Sequence, residues 1–151
     1  MKKLCLIFVS LSFLLYSEVK KATYDEIKNS ICVLEEAIKA ENENLVSLFS
    51  EAIEIEKRAN SPYYAEKIMK KVCKTGKISL EKFKKLRENF SFFDISIAWA
   101  INQITGKSIE EILREKKESE WKNVFSDENI IQFFENILSK IKQLNPKSET
   151  F

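Results

Sequence analysis

The sequence has no histidine, only two glycines and two prolines, and three cysteines in 151 residues. Without imidazole there is no Ser/His/Asp or Cys/His route to an activated nucleophile and no histidine ligand for zinc or haem. Scarce glycine and proline give few of the turns that short strands need. Apolar residues recur at spacings of three and four rather than two, so the pattern predicts an all-α protein, a compact bundle of five to seven short helices after an N-terminal signal helix. A charge excess is missing as well. Lys plus Arg is 25 and Asp plus Glu is 23, and setting aside Lys2 and Lys3 leaves 23 of each. Phosphate-binding surfaces usually carry a basic excess, so this balance argues against a nucleic-acid partner.

Long hydrophobic runs are absent too. The longest uncharged, mostly apolar run is Leu4 to Tyr16, 13 residues, whereas a membrane span needs about 20. No permanent membrane span is therefore expected. Lys2 and Lys3 precede this run and the small residue Ser17 follows it, which is the layout of a secretory signal peptide, with Leu15 and Ser17 at the cleavage recognition positions. The next small residue, Ala22, sits behind Lys20 and Lys21. The expected division is a signal peptide at 1–17, a single helical domain at 18–146 and a flexible tail at 147–151. A mature chain of 134 residues buries roughly two thirds of its unfolded surface and needs neither a metal nor many disulfides to hold a core. The expected location is periplasmic or secreted.

Cys5 falls in the leader, which leaves Cys32 and Cys73. An even count in an oxidising compartment makes a Cys32–Cys73 disulfide one reading; two small apolar residues buried in helices is the other.

Thr23 and Glu26 form a capping box that opens a helix with Ile27, Ile31, Leu34 and Ile38 as its inner stripe. After an interruption at 41–44, Leu45, Leu48, Phe49, Ala52 and Ile53 continue to about Ala59, in one bent helix or two. Ser61 and Pro62 restart the chain as N-cap and first helical residue, and Gly76 is expected to end that helix as a left-handed cap. Ser79 caps a helix carrying Leu80, Phe83 and Leu86. Ser91 and Asp94 cap the most apolar segment, Ile95 to Ile104, which should lie at the centre of the domain. Gly106 closes it, Ser108 and Glu111 open the next helix, and Ser126 starts a final helix through Ile130, Phe133, Phe134, Ile137, Ile141 and Leu144. Gly106, Lys107 and Ser108 spell the end of a phosphate loop. The glycine required five residues earlier is Ile101, however, and a helix precedes them, so they read as a C-cap followed by an N-cap.

Carboxylates are plentiful, at Glu35, Glu36, Glu51, Glu54, Glu56, Glu110 and Glu111, but none stands alone in an apolar setting where burial would raise its pKa for acid catalysis. Asp94 and Glu111, flanking the central helix, are expected to be caps. No catalytic, cofactor-binding or metal-binding residue is assigned, and the chain is expected not to be an enzyme. The aromatics Phe90, Phe92, Phe93, Trp99, Trp121, Phe125, Phe133 and Phe134 gather in the second half, as core or as an apolar groove.

Charge is unevenly placed. Residues 24–58 hold nine acids and four bases, and residues 59–88 hold nine bases and three acids. These are either two mutually attracting solvated faces or, through Lys67, Lys70, Lys71, Lys74, Lys82, Lys84 and Lys85, a patch for an anionic envelope component.

The stretch Asp94 to Phe125 resembles a helical module of small exported bacterial proteins of unknown function. The resemblance rests on Thr105, Gly106, Lys107 and Ser108 at the turn, Ile109, Glu110, Glu111, Ile112 and Leu113 in a short helix, and Trp121 beyond it. The glycines of that module around the tryptophan are replaced by Ser119, Glu120 and Lys122. The resemblance covers about a fifth of the chain and implies export and helicity without an activity. Together these features point to an exported, non-enzymatic binding or structural accessory protein of the bacterial cell envelope, whose partner is an unknown protein or an anionic envelope component. The alternative is a cytoplasmic helix-turn-helix regulator built on the same two helices joined by a glycine turn.

Overall fold

In the computed structural model, which describes residues 19–145, the first helix opens at the expected capping box. Thr23 Oγ1 accepts the Glu26 N–H at 3.2 Å and the Glu26 carboxylate accepts the Thr23 N–H at 2.9 Å. The expected leader and tail lie outside the described residues. In chain order the helices are α1 (Tyr24–Lys39), α2 (Glu43–Arg58), α3 (Pro62–Gly76), α4 (Leu80–Asn89), α5 (Phe92–Thr105), α6 (Ile109–Glu118), α7 (Trp121–Val124), α8 (Glu128–Ile131) and α9 (Phe134–Leu144). The described residues contain no strand, so the all-α expectation holds. The number of helices exceeds the expected five to seven. Seven have ten residues or more, and α7 and α8 are single turns of four residues.

Neither the break between α1 and α2 nor that between α8 and α9 is marked by glycine or proline. After α1, Glu41 takes the left-handed conformation at φ 53°. The Glu41 N–H bonds to the Ile38 C=O at 3.0 Å and the Asn42 N–H to the Ala37 C=O at 3.2 Å. These two bonds form a Schellman turn closed without glycine. Asn42 then caps α2 by accepting the Leu45 N–H at 3.1 Å, so residues 24–58 fold as an antiparallel hairpin of two helices. Near the C-terminus Asp127, rather than Ser126, caps α8. The Phe133 N–H bonds back only three residues, to the Ile130 C=O, and splits α8 from α9.

Helix α5 is the hub. From Phe92 to Ile101 every residue is buried, and α5 is packed by α2, α3, α6 and α9. Of the eight aromatics singled out in the second half, Phe92, Phe93, Trp99, Trp121, Phe125 and Phe134 are buried and Phe90 and Phe133 partly so. The aromatic half is core. Phe49 on α2 meets Phe93 with ring centroids 5.4 Å apart, and Phe125 meets Phe134 edge-on at 5.7 Å.

Three expectations are corrected. Gly76 is not the left-handed cap; it is the last residue of α3, and Lys77 takes that conformation at φ 55°, ψ 41°. Gly76 instead permits close packing, since a Cβ there would sit 2.7 Å from Ile109 Cδ1 and 3.3 Å from Trp99 Cδ1. Gly106 does close α5 as expected, at φ 75°. Secondly, the stripe Ile27, Ile31, Leu34 and Ile38 is not the inner face of α1. The buried residues of that helix are Ser30 and Ala37, while Ile31 and Ile38 are exposed. Thirdly, Cys32 and Cys73 are both free. Cys32 lies on the solvent face of α1 and Cys73 is half-buried on α3, whereas the neighbour of α1 is α2, so the two thiols are not brought together.

Because an L side chain in the left-handed region costs about 1 kcal/mol or more, Lys77→Gly and Glu41→Gly should each raise stability by about 0.5–1 kcal/mol. Gly76→Ala should lower it through the clash with Ile109 and Trp99. Denaturant unfolding of the three variants checks this directly, and equal stabilities across the set would contradict it.

Candidate functional site

Charged and polar groups converge where the amino-terminal segment enters the bundle. Arg87, near the end of α4, is 1% exposed. Its Nε–H donates to the Lys20 C=O at 3.0 Å. Nη1 donates to Glu26 Oε1 at 2.9 Å and to the Phe90 C=O at 2.5 Å, and Nη2 donates to the Lys21 C=O at 3.1 Å and to Glu26 Oε2 at 3.2 Å. A guanidinium has five N–H donors, and all five are used. The Phe92 ring lies under the group, with its centroid 4.3 Å from Cζ. Beside this clamp Ala22 is fully buried; its N–H donates to the Ala59 C=O at 3.0 Å, and Asn60 Nδ2 donates to the Ala22 C=O at 2.8 Å. Residues 20–23 are therefore part of the fold. Burial alone would raise the pKa of Glu26, but hydrogen bonds from Arg87 and Thr23 and the charges of Arg87 and Lys20 outweigh it and hold the carboxyl below its ordinary value.

Glu56 on α2 is the second member of the site. It is fully buried, Oε2 lies 2.6 Å from Ser30 Oγ, and Oε1 has no hydrogen-bond partner among the described residues. Ser30 Oγ also lies 3.0 Å from the Glu26 C=O. One hydroxyl proton cannot serve both acceptors. A protonated Glu56 resolves the geometry: its O–H donates to Ser30 Oγ, and the Ser30 hydroxyl donates to the Glu26 C=O. Burial pushes the Glu56 carboxyl up to about 7, against the opposing bond from Ser30, with the charges of Glu26 and Asp94 adding to the rise and that of Arg87 opposing it. The expectation that no carboxylate occupies an apolar setting is thereby corrected. The signal was present in the spacing, because Leu45, Leu48, Phe49, Ala52 and Ile53 continue at helical period through Glu56 to Ala59.

Asp94 joins a third set of elements. Oδ1 accepts Trp121 Nε1–H at 2.9 Å and pairs with Lys116 Nζ at 3.2 Å, and Oδ2 accepts the Ser91 hydroxyl at 3.1 Å. Asp94 thus fastens α6 and α7 to the start of α5, beyond the capping role expected of it. For Glu111, the backbone N–H donates to Ser108 Oγ at 3.2 Å. Gly106 and Ser108 act as the C-cap and N-cap that the sequence predicts.

The seven lysines of the anionic-partner patch fall on the adjacent helices α3 and α4. Lys70 pairs with Glu66 at 2.6 Å, Lys82 with Glu110 at 3.1 Å and Lys85 with Glu81 at 3.9 Å. Lys71 donates to the Gln143 C=O, and Lys67 Nζ lies 5.7 Å from the centre of the Tyr63 ring. Lys74 is exposed, and Lys84 lines a cleft of about 310 Å³ with Val19, Lys20, Phe83, Arg87 and Glu88. No group of three or more metal-ligating side chains occurs among the described residues, and no helix among them is long and apolar enough to cross a membrane. Comparison with protein-family models, with curated proteins and with solved structures finds no match.

Removing the clamp orphans the Glu26 carboxylate and three carbonyls, so Arg87→Ala should destabilise the fold by about 3–5 kcal/mol. Arg87→Lys should recover little of this, because an ammonium cannot reproduce the five-donor fork.

Glu56 sets a pH dependence of definite sign. The native group titrates at about 7 against an ordinary 4.5, so its contribution is complete below about 4.5 and is lost as pH rises through about 7, a decline of about 3 kcal/mol. Glu26 works in the opposite sense, and its contribution is lost as pH falls below its ordinary value. Chemical unfolding of the wild type should show falling stability from pH 5 to pH 8, and Glu56→Gln should flatten that decline.

Proposed function

We propose that this chain is an exported, non-enzymatic accessory protein of the bacterial cell envelope, a helical domain that binds or braces a protein or an anionic envelope component. The observation that carries this reading is the junction between leader and fold. The positively tipped apolar run ends near Ser17, and the Arg87 clamp takes hold of the backbone three residues later, at Lys20. A cut after Ser17 releases a chain that retains Lys20, Lys21 and Ala22, the residues that Arg87, Ala59 and Asn60 hold. A cut after Ala22 removes all three. The internal use of Arg87, Glu56 and Asp94 also supports a non-enzymatic role, since each is engaged or enclosed within the core rather than presented to a substrate.

The helix-turn-helix alternative has one observation in its favour, the left-handed Gly106 turn between the packed helices α5 and α6. Two of its basic side chains are used inside the fold, Lys107 with Glu115 at 3.6 Å and Lys116 with Asp94 at 3.2 Å.

Amino-terminal sequencing of the protein from fractionated cells decides between the two. Export predicts a chain beginning at Glu18 in the envelope or medium; an intact Met1 in the cytoplasm, with a gel shift that weakens steeply with salt, would establish the alternative.

A further inference from the structure

The apolar stripe of α1 remains after the fold is accounted for. Tyr24 is 78% exposed, Ile31 37% and Ile38 54%. These positions are seven residues apart, so they form one line along the helix, bordered on the core side by the half-buried Ile27 and Leu34. The alternating spacing of three and four over Tyr24, Ile27, Ile31, Leu34 and Ile38 is the pattern of a helix-pairing seam. Within the described chain its inner edge meets α2 and its outer edge meets solvent.

We propose that this face is a self-association surface, on which α1 of a second copy packs antiparallel with Ile31 at the two-fold axis. Tyr24 lies seven residues before Ile31 and Ile38 seven after, so the antiparallel arrangement sets Tyr24 of each copy over Ile38 of the other. Lys28 and Glu35 lie three before and four after and flank the line on its solvent side, both exposed. Neither joins an ion pair among the described residues. The two-fold brings Lys28 of each copy beside Glu35 of the other, giving two complementary pairs from one helix. A parallel two-fold puts Lys28 and Glu35 of one copy on the opposite edge of the seam from those of the other, so neither pair forms. Such self-complementarity is what an isologous contact requires, and a foreign partner would not call for it. One helix against one helix lies at the small end of specific interfaces, below about 1,200 Å² in total, so association is expected at roughly 10 µM to 1 mM.

The proposal does not depend on export. Sedimentation equilibrium of the protein as isolated from cells, from about 5 µM to about 500 µM, brackets that range. A concentration-dependent monomer–dimer equilibrium is expected. Ile31→Asp, which buries two like charges at the axis, should raise the dissociation constant by about tenfold or more. Lys28→Glu and Glu35→Lys should each weaken the dimer, and the double variant should restore it. Helical circular dichroism of the monomer should be retained throughout, because all three positions lie on the solvent side of α1. A monomer at every concentration, a dimer indifferent to Ile31→Asp, or a double reversal that fails to restore association would each overturn the proposal.

Discussion

A single buried guanidinium organises the amino-terminal half of this protein. Arg87 spends every donor it has on three carbonyls and one carboxylate, and so joins four pieces of chain that hydrophobic packing alone would leave free to slide: the extended segment before α1, the first turn of α1, the end of α4 and the turn into α5. Burying a cation is unfavourable unless its hydrogen bonds are complete and a counter-charge is near. Both conditions are met, and the bidentate pairing with Glu26 fixes orientation as well as charge. Truncating any partner leaves an uncompensated group inside, which makes the arrangement intolerant of substitution out of proportion to its size.

The charges around this clamp are mutually consistent only if Glu56 is neutral. Arg87 is matched by Glu26, and Asp94 is matched by Lys116. An ionised Glu56 would add a buried negative charge with no cation of its own, and its Oε1 already lacks a hydrogen-bond partner among the described residues. As a neutral acid it donates through Ser30 to the backbone of α1 and so links the two antiparallel helices α1 and α2. The same bond explains why Ser30, rather than an isoleucine, faces inward on α1. The inner face of that helix is chosen by a polar contact, and rotating Ile31 into the interface would break the hydrogen bond between Ser30 and Glu56.

Much of this was legible in the sequence where a local rule carries its own chemistry. The Thr23–Glu26 capping box, the Ser79, Ser91 and Ser108 caps, the Gly106 terminus and the burial of the apolar segment after Asp94 all follow from residues interacting within one turn or from bulk hydrophobicity. What the sequence concealed depends on distant partners. The stripe of α1 has the right period, but period alone does not say whether its neighbour is α2 or another chain. Gly76 resembled a cap because glycine relieves backbone strain; its use here is to admit Ile109 and Trp99, a contact 33 positions away in the first case. Glu41 and Lys77 adopt left-handed turns without glycine because the surrounding helices dictate where the chain must reverse. Arg87 and Glu56 both occupy apolar registers, at Leu80, Phe83, Arg87 and Phe90 in one case and through α2 in the other. A charged residue in such a register is the feature that points to a buried network.

The central claim is that residues 20–23 are structural, held as firmly as the helices they touch. Amide hydrogen exchange at Ala22 tests it most directly, because that N–H is bonded to the Ala59 C=O beside the Arg87 clamp. If the segment opens only when the domain unfolds, the Ala22 amide should exchange with protection close to that of the buried amides of α5. Exchange at the rate of an unstructured amide, while α5 stays protected, would show that the clamp does not hold the segment and would contradict the claim.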